Sequence, residues 1–265
     1  MEKRRVKYVD LHIHSKYSDG ELTPNDIIKY AKQNNIECIS ITDHNTVDAY
    51  YYISKRDDIK IISGVEVDVE YIPSIQCLCY GFDQTNPQLI SALKSIQLSR
   101  MRSRVLLIRK LLEMNLITDK EVEYVCKLND FAHICKFLAK KKNNKSFADI
   151  QNDYFQEGKP LYQRIPSLQL KECIDLIHGS GGIVILAHPG RVNYSKVEPV
   201  KLFDQLLAVG IDGFECYHPD NSSELSDYIK SYCIDRQCVY TGGSDMHGKT
   251  SSFRISQNSI TPIWS

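Results

Sequence analysis

Short apolar runs alternate with amphipathic stretches along most of the chain, and the alternation predicts strands and helices in turn. Val9 to Ile13 has strand composition. After Gly20, Thr23 is a suitable N-cap and Pro24 suits the first helical position, with Ile27, Ile28 and Ala31 as the inward stripe. Ile36 to Thr42 reads as a buried strand, Val47 to Lys55 as a helix, and Ile59 to Val69 and Cys77 to Asp83 as two further strands. Between Pro87 and about Pro160 the strand signal stops. A long amphipathic helix from Ser95 to Met114 is followed by two or three shorter helical segments and the basic run K-K-K-N-N-K. The alternation resumes at Ser167 with a helix to His178 and the apolar strand Ile183 to Ala187. A helix from Lys196 to Val209, a strand from Gly213 to Tyr217, a helix from Ser222 to Asp235 and a strand from Val239 to Thr241 follow. The tail after Lys249 is polar and carries no periodic signal. The expected architecture is an α/β domain formed by residues 1–86 and 161–265, with residues 87–160 inserted as a helical subdomain that caps its reactive end.

At 265 residues the chain suits one large α/β domain with an insertion. Lys+Arg and Asp+Glu both total 33, so no global field selects long nucleic acid or a membrane surface. A charged substrate must be met locally. The nine cysteines form no C-x-x-C pair, which fits a reducing compartment and a cytoplasmic location. The N-terminal M-E-K-R-R-V-K-Y-V-D lacks the apolar core of a signal peptide, and no run of apolar residues is long enough to span a membrane.

The chemistry-bearing residues gather at predicted strand ends. His12 and His14 are two apart on the first strand, so both imidazoles leave on one face. His44, His188, His218 and His247 also sit at or just past strand ends, as do Asp19, Asp43, Glu66 and Asp245. In (β/α) barrels the carboxyl ends of the strands form the reactive face. Mixed imidazole and carboxylate donors suit Mn²⁺, Zn²⁺ or Fe²⁺, and a carboxylate such as Glu66 is able to bridge two ions. Arg191, just after A-H-P-G, is a candidate phosphate clamp because guanidinium matches phosphate bidentately. Arg100, Arg102, Arg104 and Arg109 read mainly as a solvated helix face.

His12-x-His14, Asp19, Thr42-Asp43-His44, Gly64-Val65-Glu66, Ala187-His188-Pro189, Tyr217-His218-Pro219 and Ser244-Asp245-x-His247 together resemble the motif series of the PHP (polymerase and histidinol phosphatase) metallo-phosphoesterases. The motifs occur in family order across nearly the whole chain. The resemblance implies a distorted TIM-like (β/α)₇ barrel with two or three divalent ions. It implies His12, His14, Glu66 and Asp245 on one ion, Glu66 and His188 on a second, and Asp19, His44 and His247 on a third. It makes His218 a candidate for contacting phosphate or protonating the leaving oxygen.

The likeness is strongest to enzymes acting on 3′,5′-nucleoside bisphosphates or short RNA. The implied reaction is hydrolysis by a metal-activated hydroxide, on a small phosphorylated substrate. Histidinol-phosphate hydrolysis and a catalytically impaired metal- and nucleotide-binding module are the alternatives. Two departures stand out. Gln76 occupies the position of a family histidine ligand, and Phe131-Ala132-His133 keeps only the histidine of an R-P-H-like turn.

Overall fold

The computed structural model describes residues 7–54, 58–128, 131–142, 145–163, 167–195, 197–248 and 253–263. The chain divides into two compact units: one joins the residues up to Lys94 with those from Ser167 onward, the other is Ser95–Pro166.

The first unit begins with β1 (Tyr8–Ile13), α1 (Pro24–Gln33) and β2 (Ile36–Ile41). Thr23 caps α1 as its spacing predicts: its hydroxyl accepts from the Asp26 N–H, and the Asp26 carboxylate accepts from the Thr23 N–H. The helix expected over 47–55 is a single 3₁₀ turn, Asp48–Tyr52. Tyr50 anchors this turn: its buried hydroxyl lies 2.8 Å from the carbonyl oxygens of both Ile41 and Ile62 and shares its one proton between them. Lys55 lies outside the described residues.

β3 (Lys60–Glu70) and β4 (Ile75–Tyr80) come next. The four residues between them leave no room for a crossover helix, so β4 runs antiparallel to β3. The inserted unit comprises most of α2 (Pro87–Glu113), then α3 (Asp119–Cys126), α4 (Phe131–Lys141) and α5 (Phe147–Ile150). It has its own apolar centre, with Leu111, Val125, Ile134, Leu138 and Ile150 buried together. Arg104 is engaged structurally: its guanidinium donates to the carbonyls of Val125, Cys126 and Leu128 at the end of α3. Arg109 pairs with Glu113 one helical turn on.

The chain returns to the first unit with β5 (Leu168–Gln169), α6 (Leu170–Gly179) and β6 (Ile183–Leu186). It continues with α7 (Pro199–Val209), β7 (Gly213–Tyr217), α8 (Ser223–Arg236), β8 (Val239–Gly242) and β9 (Ile255–Ser256). The strand order is β8-β7-β6-β4-β3-β2-β1-β9, and β5 pairs in parallel with the end of β3. Strands β1 to β3 are mutually parallel, as are β6 to β8, and β4 is antiparallel to both β3 and β6.

The sheet curls into a nearly closed, TIM-like barrel. The seam is drawn together just past β8, where the His14 N–H donates to the Met246 carbonyl (2.9 Å) and the Asp245 N–H to the His12 carbonyl (2.8 Å). The tail is more than a polar appendage. β9 pairs antiparallel with Tyr8 and Val9, and Ile255 and Ile260 are buried. Two residues are too few to print a period in the sequence. Leu11, Leu78, Tyr80 and Ile185 fill the barrel interior beneath the site. Burial of each such side chain contributes roughly 1.5–3 kcal/mol, so the floor beneath the site is rigid.

Candidate metal centre

β1 delivers the two imidazoles on one face, as its period dictates, and other strands bring carboxylates to meet them. His12 Nε2 lies 3.5 Å from Glu66 Oε2 and 3.3 Å from Asp245 Oδ1. His14 Nε2 lies 3.3 Å and 3.1 Å from the same two atoms. Glu66 also faces His44 Nδ1 at 3.1 Å and, through its other oxygen, His188 Nε2 at 2.8 Å. Asp19 lies 3.4 Å from His14 Nδ1, 3.5 Å from His44 Nε2 and 3.2 Å from His247 Nε2. Nitrogens and oxygens of His12, His14 and Asp245, and separately of His14, Asp19, His44 and His247, lie within 4.8 Å of one another. The structure thus gathers into one cluster all eight residues expected to hold metal.

Backbone conformation helps to aim these groups. Asn45, His188 and Asp245 follow strand ends with φ of 54°, 28° and 51°. Non-glycine residues adopt such angles at a cost, and they recur where a side chain must be directed into a site.

The electrostatics are those of an ion site. Burial alone would raise the Glu66 carboxyl, but His44 and His12 hold it well below its ordinary value. Asp245 is depressed likewise: burial opposes ionisation, and His12, His14 and His218 overcome it. Burial works against charging His14, yet the Asp245 and Glu66 carboxylates push it up to about 9. His12 Nε2, His14 Nε2 and His44 Nδ1 are buried without a hydrogen bond, although each faces a carboxylate. Orphaned ring nitrogens aimed at shared carboxylate oxygens fit divalent cations of the kind that imidazole and carboxylate jointly bind.

The remaining expected residues have distinct places. His218 Nε2 is 3.4 Å from Asp245 Oδ2, and its Nδ1 accepts the Asp220 N–H at 3.0 Å. Arg191 donates through Nη2 to Asp245 Oδ2 (2.8 Å) and through Nε to Asp220 Oδ2 (2.6 Å). Asp43 shapes the loop after β1, accepting from the Ser15 N–H (2.7 Å), the Ser15 hydroxyl (2.5 Å) and the Ser18 hydroxyl (2.6 Å). Gln76 donates to Asp68 Oδ1 at 2.9 Å, directly across the β3–β4 pair, and Asn45 holds the other Asp68 oxygen at 2.6 Å. His133 is exposed on α4 of the inserted unit.

Sequence reading missed Asp10, Glu215 and Asp220. Asp10 is buried and accepts from the Ser244 N–H (2.8 Å) and hydroxyl (2.6 Å), which ties β1 to the turn carrying Asp245. Glu215 is buried and lies 3.0 Å from His12 Nδ1. A carboxylate inside the apolar run G-F-E-C-Y, or V-D-L before His12, is itself a signal, because an ionised group rarely sits in a buried strand without partners.

A barrel whose strand ends converge imidazoles and carboxylates on shared points is a metal-binding hydrolase scaffold. The PHP domain model matches residues 10–205. The 5′-3′ exoribonuclease Rnm of Escherichia coli is 32% identical over 251 residues, covering 90% of this chain and 84% of that protein. A 3′,5′-nucleoside bisphosphate phosphatase of Chromobacterium violaceum is 28% identical over 250 residues, covering 90% and 87%. A solved Chromobacterium violaceum structure, described as an amidohydrolase with bound sulfate and no metal, superposes with a TM-score of 0.78 at 25% identity, covering 97% of this chain and 94% of that one. The chain belongs to the PHP-domain family, and it is a metal-dependent phosphoesterase.

Proposed function

We propose that the protein hydrolyses nucleotide phosphoesters, either a 3′,5′-nucleoside bisphosphate or short RNA. The observation that carries the reading is the convergence of Arg191 and His218 on a single oxygen, Asp245 Oδ2. It sets a cation and a hydrogen-bond donor beside the ligand cluster, where a phosphoryl group bound at the ions would lie. The two curated relatives support the nucleotide class, since one is named for bisphosphates and the other for RNA.

His12, His14, Glu66 and Asp245 would hold one ion, and Asp19, His44 and His247 another. Glu66 and His188 would contribute to a third, where Gln76 is a weaker donor than imidazole. Ions such as Mn²⁺, Zn²⁺ or Fe²⁺, when bound, lower the pKa of water and neutralise charge on phosphoryl oxygens. Arg191 supplies two N–H groups to the non-bridging oxygens. In neutral His218 the ring proton sits on Nε2, because Nδ1 accepts the Asp220 N–H. His218 therefore donates toward the leaving oxygen. The nine free cysteines fit a reducing cytoplasm, and no described helix is long and apolar enough to cross a membrane.

The test is phosphate release from adenosine 3′,5′-bisphosphate by purified protein with Mn²⁺. Release that disappears with EDTA, and in Asp245→Ala protein that still unfolds cooperatively, is expected. Faster hydrolysis of histidinol phosphate than of any nucleotide, or nucleotide binding without turnover at every metal loading, would defeat the proposal.

A further inference from the structure

Glu215 belongs to none of the three ligand sets, yet its side chain is sealed from solvent in the middle of β7. An oxygen of its carboxylate lies near ring nitrogens of His12 and His218, so a role as ligand is conceivable from proximity alone. Its hydrogen bonds argue otherwise. Oε1 lies 3.0 Å from His12 Nδ1, and Oε2 accepts the His188 backbone N–H at 2.7 Å. Both oxygens are engaged, one by a residue on β1 and the other by a residue just past the end of β6.

We infer that Glu215 is a positioning residue for two metal ligands at once: it fixes the tautomer of His12 and the backbone of His188. The inference rests on the ion-site reading above.

A neutral imidazole carries one proton, and the hydrogen bond at one nitrogen decides which nitrogen keeps a lone pair for metal. With Nδ1–H donating to Glu215, the free lone pair of His12 is on Nε2. That atom is buried, has no hydrogen-bond partner and faces Asp245 and Glu66.

The second oxygen serves His188. This residue has φ 28° and ψ 66°, a conformation that a non-glycine residue keeps only when its surroundings hold it. A charge-assisted bond from its N–H to a buried carboxylate does so, and the same turn directs its ring onto Glu66. Two donors need two acceptor oxygens. An ionised glutamate has them, whereas a glutamine has one acceptor and one NH₂ donor. In Glu215→Gln protein, either the His188 N–H meets another donor or the His12 proton moves to Nε2 and blocks the ion.

The experiment uses Zn²⁺ as a diamagnetic probe. The wild-type protein and the Glu215→Gln variant are titrated against a competing chelator, and the Zn²⁺-loaded proteins are compared by NMR with ring-¹⁵N histidine. Wild type should show His12 protonated at Nδ1 and zinc-bound through Nε2. The variant should bind that ion about 10- to 100-fold more weakly, while the ion held by Asp19, His44 and His247 keeps its affinity.

Coordination of His12 through Nδ1 in the wild type would overturn the inference, and this arm needs no variant to fold. So would a Glu215→Gln affinity within about threefold of wild type. So would loss of one whole zinc equivalent with the His12 Nδ1–H signal unchanged, which would make Glu215 a ligand. Absence of any zinc uptake by wild type would overturn the ion-site reading and this inference together. Uptake that the variant leaves unaltered would remove this inference alone.

Discussion

Arg191 bridges two carboxylates: its Nη2 lies 2.8 Å from Asp245 Oδ2 while its Nε lies 2.6 Å from Asp220 Oδ2. The pair with Asp220 is half-exposed and contributes little to stability, so its use is to aim the guanidinium. Arg191→Ala should raise KM for a phosphoester by roughly 10- to 100-fold, the loss expected for hydrogen bonds to a charged group. Arg191→Lys should recover only part of it, because an ammonium cannot span two oxygens in a planar fork. Steady-state kinetics on both variants checks this. An unchanged KM in Arg191→Ala would remove the guanidinium from substrate binding.

Metal uptake should release protons. In the metal-free protein His14 titrates near 9, because Asp245 and Glu66 outweigh the burial that disfavours its charge. An ordinary imidazole titrates at 6.5, so the folded pKa is the higher one. The stability it contributes is fully present below 6.5 and lost as pH rises through about 9. The Tm of the metal-free protein should fall over that interval. Over the same interval metal affinity should rise, by up to about tenfold per pH unit for each proton displaced. Calorimetry in two buffers of different ionisation enthalpy counts the protons, and a pH-independent affinity would contradict the prediction.

Asp10 should make the fold less stable toward neutral pH. Burial pushes its carboxyl from 3.8 up to about 6, with the Ser244 hydrogen bonds pulling the other way. A raised folded pKa gives stability that is present below 3.8 and lost as pH rises through about 6. Asp10→Asn keeps an acceptor for the Ser244 N–H and has no charge to bury. Its urea-unfolding free energy between pH 4 and pH 7 should lack the wild-type decline attributable to this group, as chemical denaturation at several pH values will show. Identical pH profiles for the two proteins would refute the assignment.

Gly243 sets how closely the seam of the barrel shuts. A Cβ there would lie 2.1 Å from His12 Cβ and 2.4 Å from the His12 nitrogen. Backbone cannot swing away as a side-chain tip does, so Gly243→Ala must displace β1 or the turn bearing Asp245. The expected loss is about 1–3 kcal/mol of stability, with metal affinity at the His12 ion falling as well. Gly179→Ala is the control for unspecific effects, because its Cβ would meet nothing within 4 Å and its φ lies outside the left-handed region. Equal effects of the two substitutions would show that close approach at Gly243 is unimportant.

Much of the site is local and therefore written in the chain. The two-residue period of β1 is enough to send His12 and His14 out on one face. Asp19, Asp43, His44, His188, Asp245 and His247 lie in the segments that follow strands, and Glu66 lies within the long strand β3. Parallel strands of a barrel present their carboxyl ends together. The strand Gly213–Tyr217 matches the expected bounds, since an apolar five-residue run between helices has one compact way to be buried.

What the sequence could not carry is pairing over long separations. Glu215 is 203 positions from His12, and Ser244 is 234 from Asp10. No local period links such residues, and only the closed sheet brings them within hydrogen-bond reach. The antiparallel course of β4 and the pairing of β9 with β1 are likewise choices among partners, not properties of either segment. Spacing along the chain therefore determined which residues face the site. The tertiary structure decided which ring nitrogens of His12, His14 and His44 are buried without a hydrogen bond, because that depends on the groups that fold around each ring.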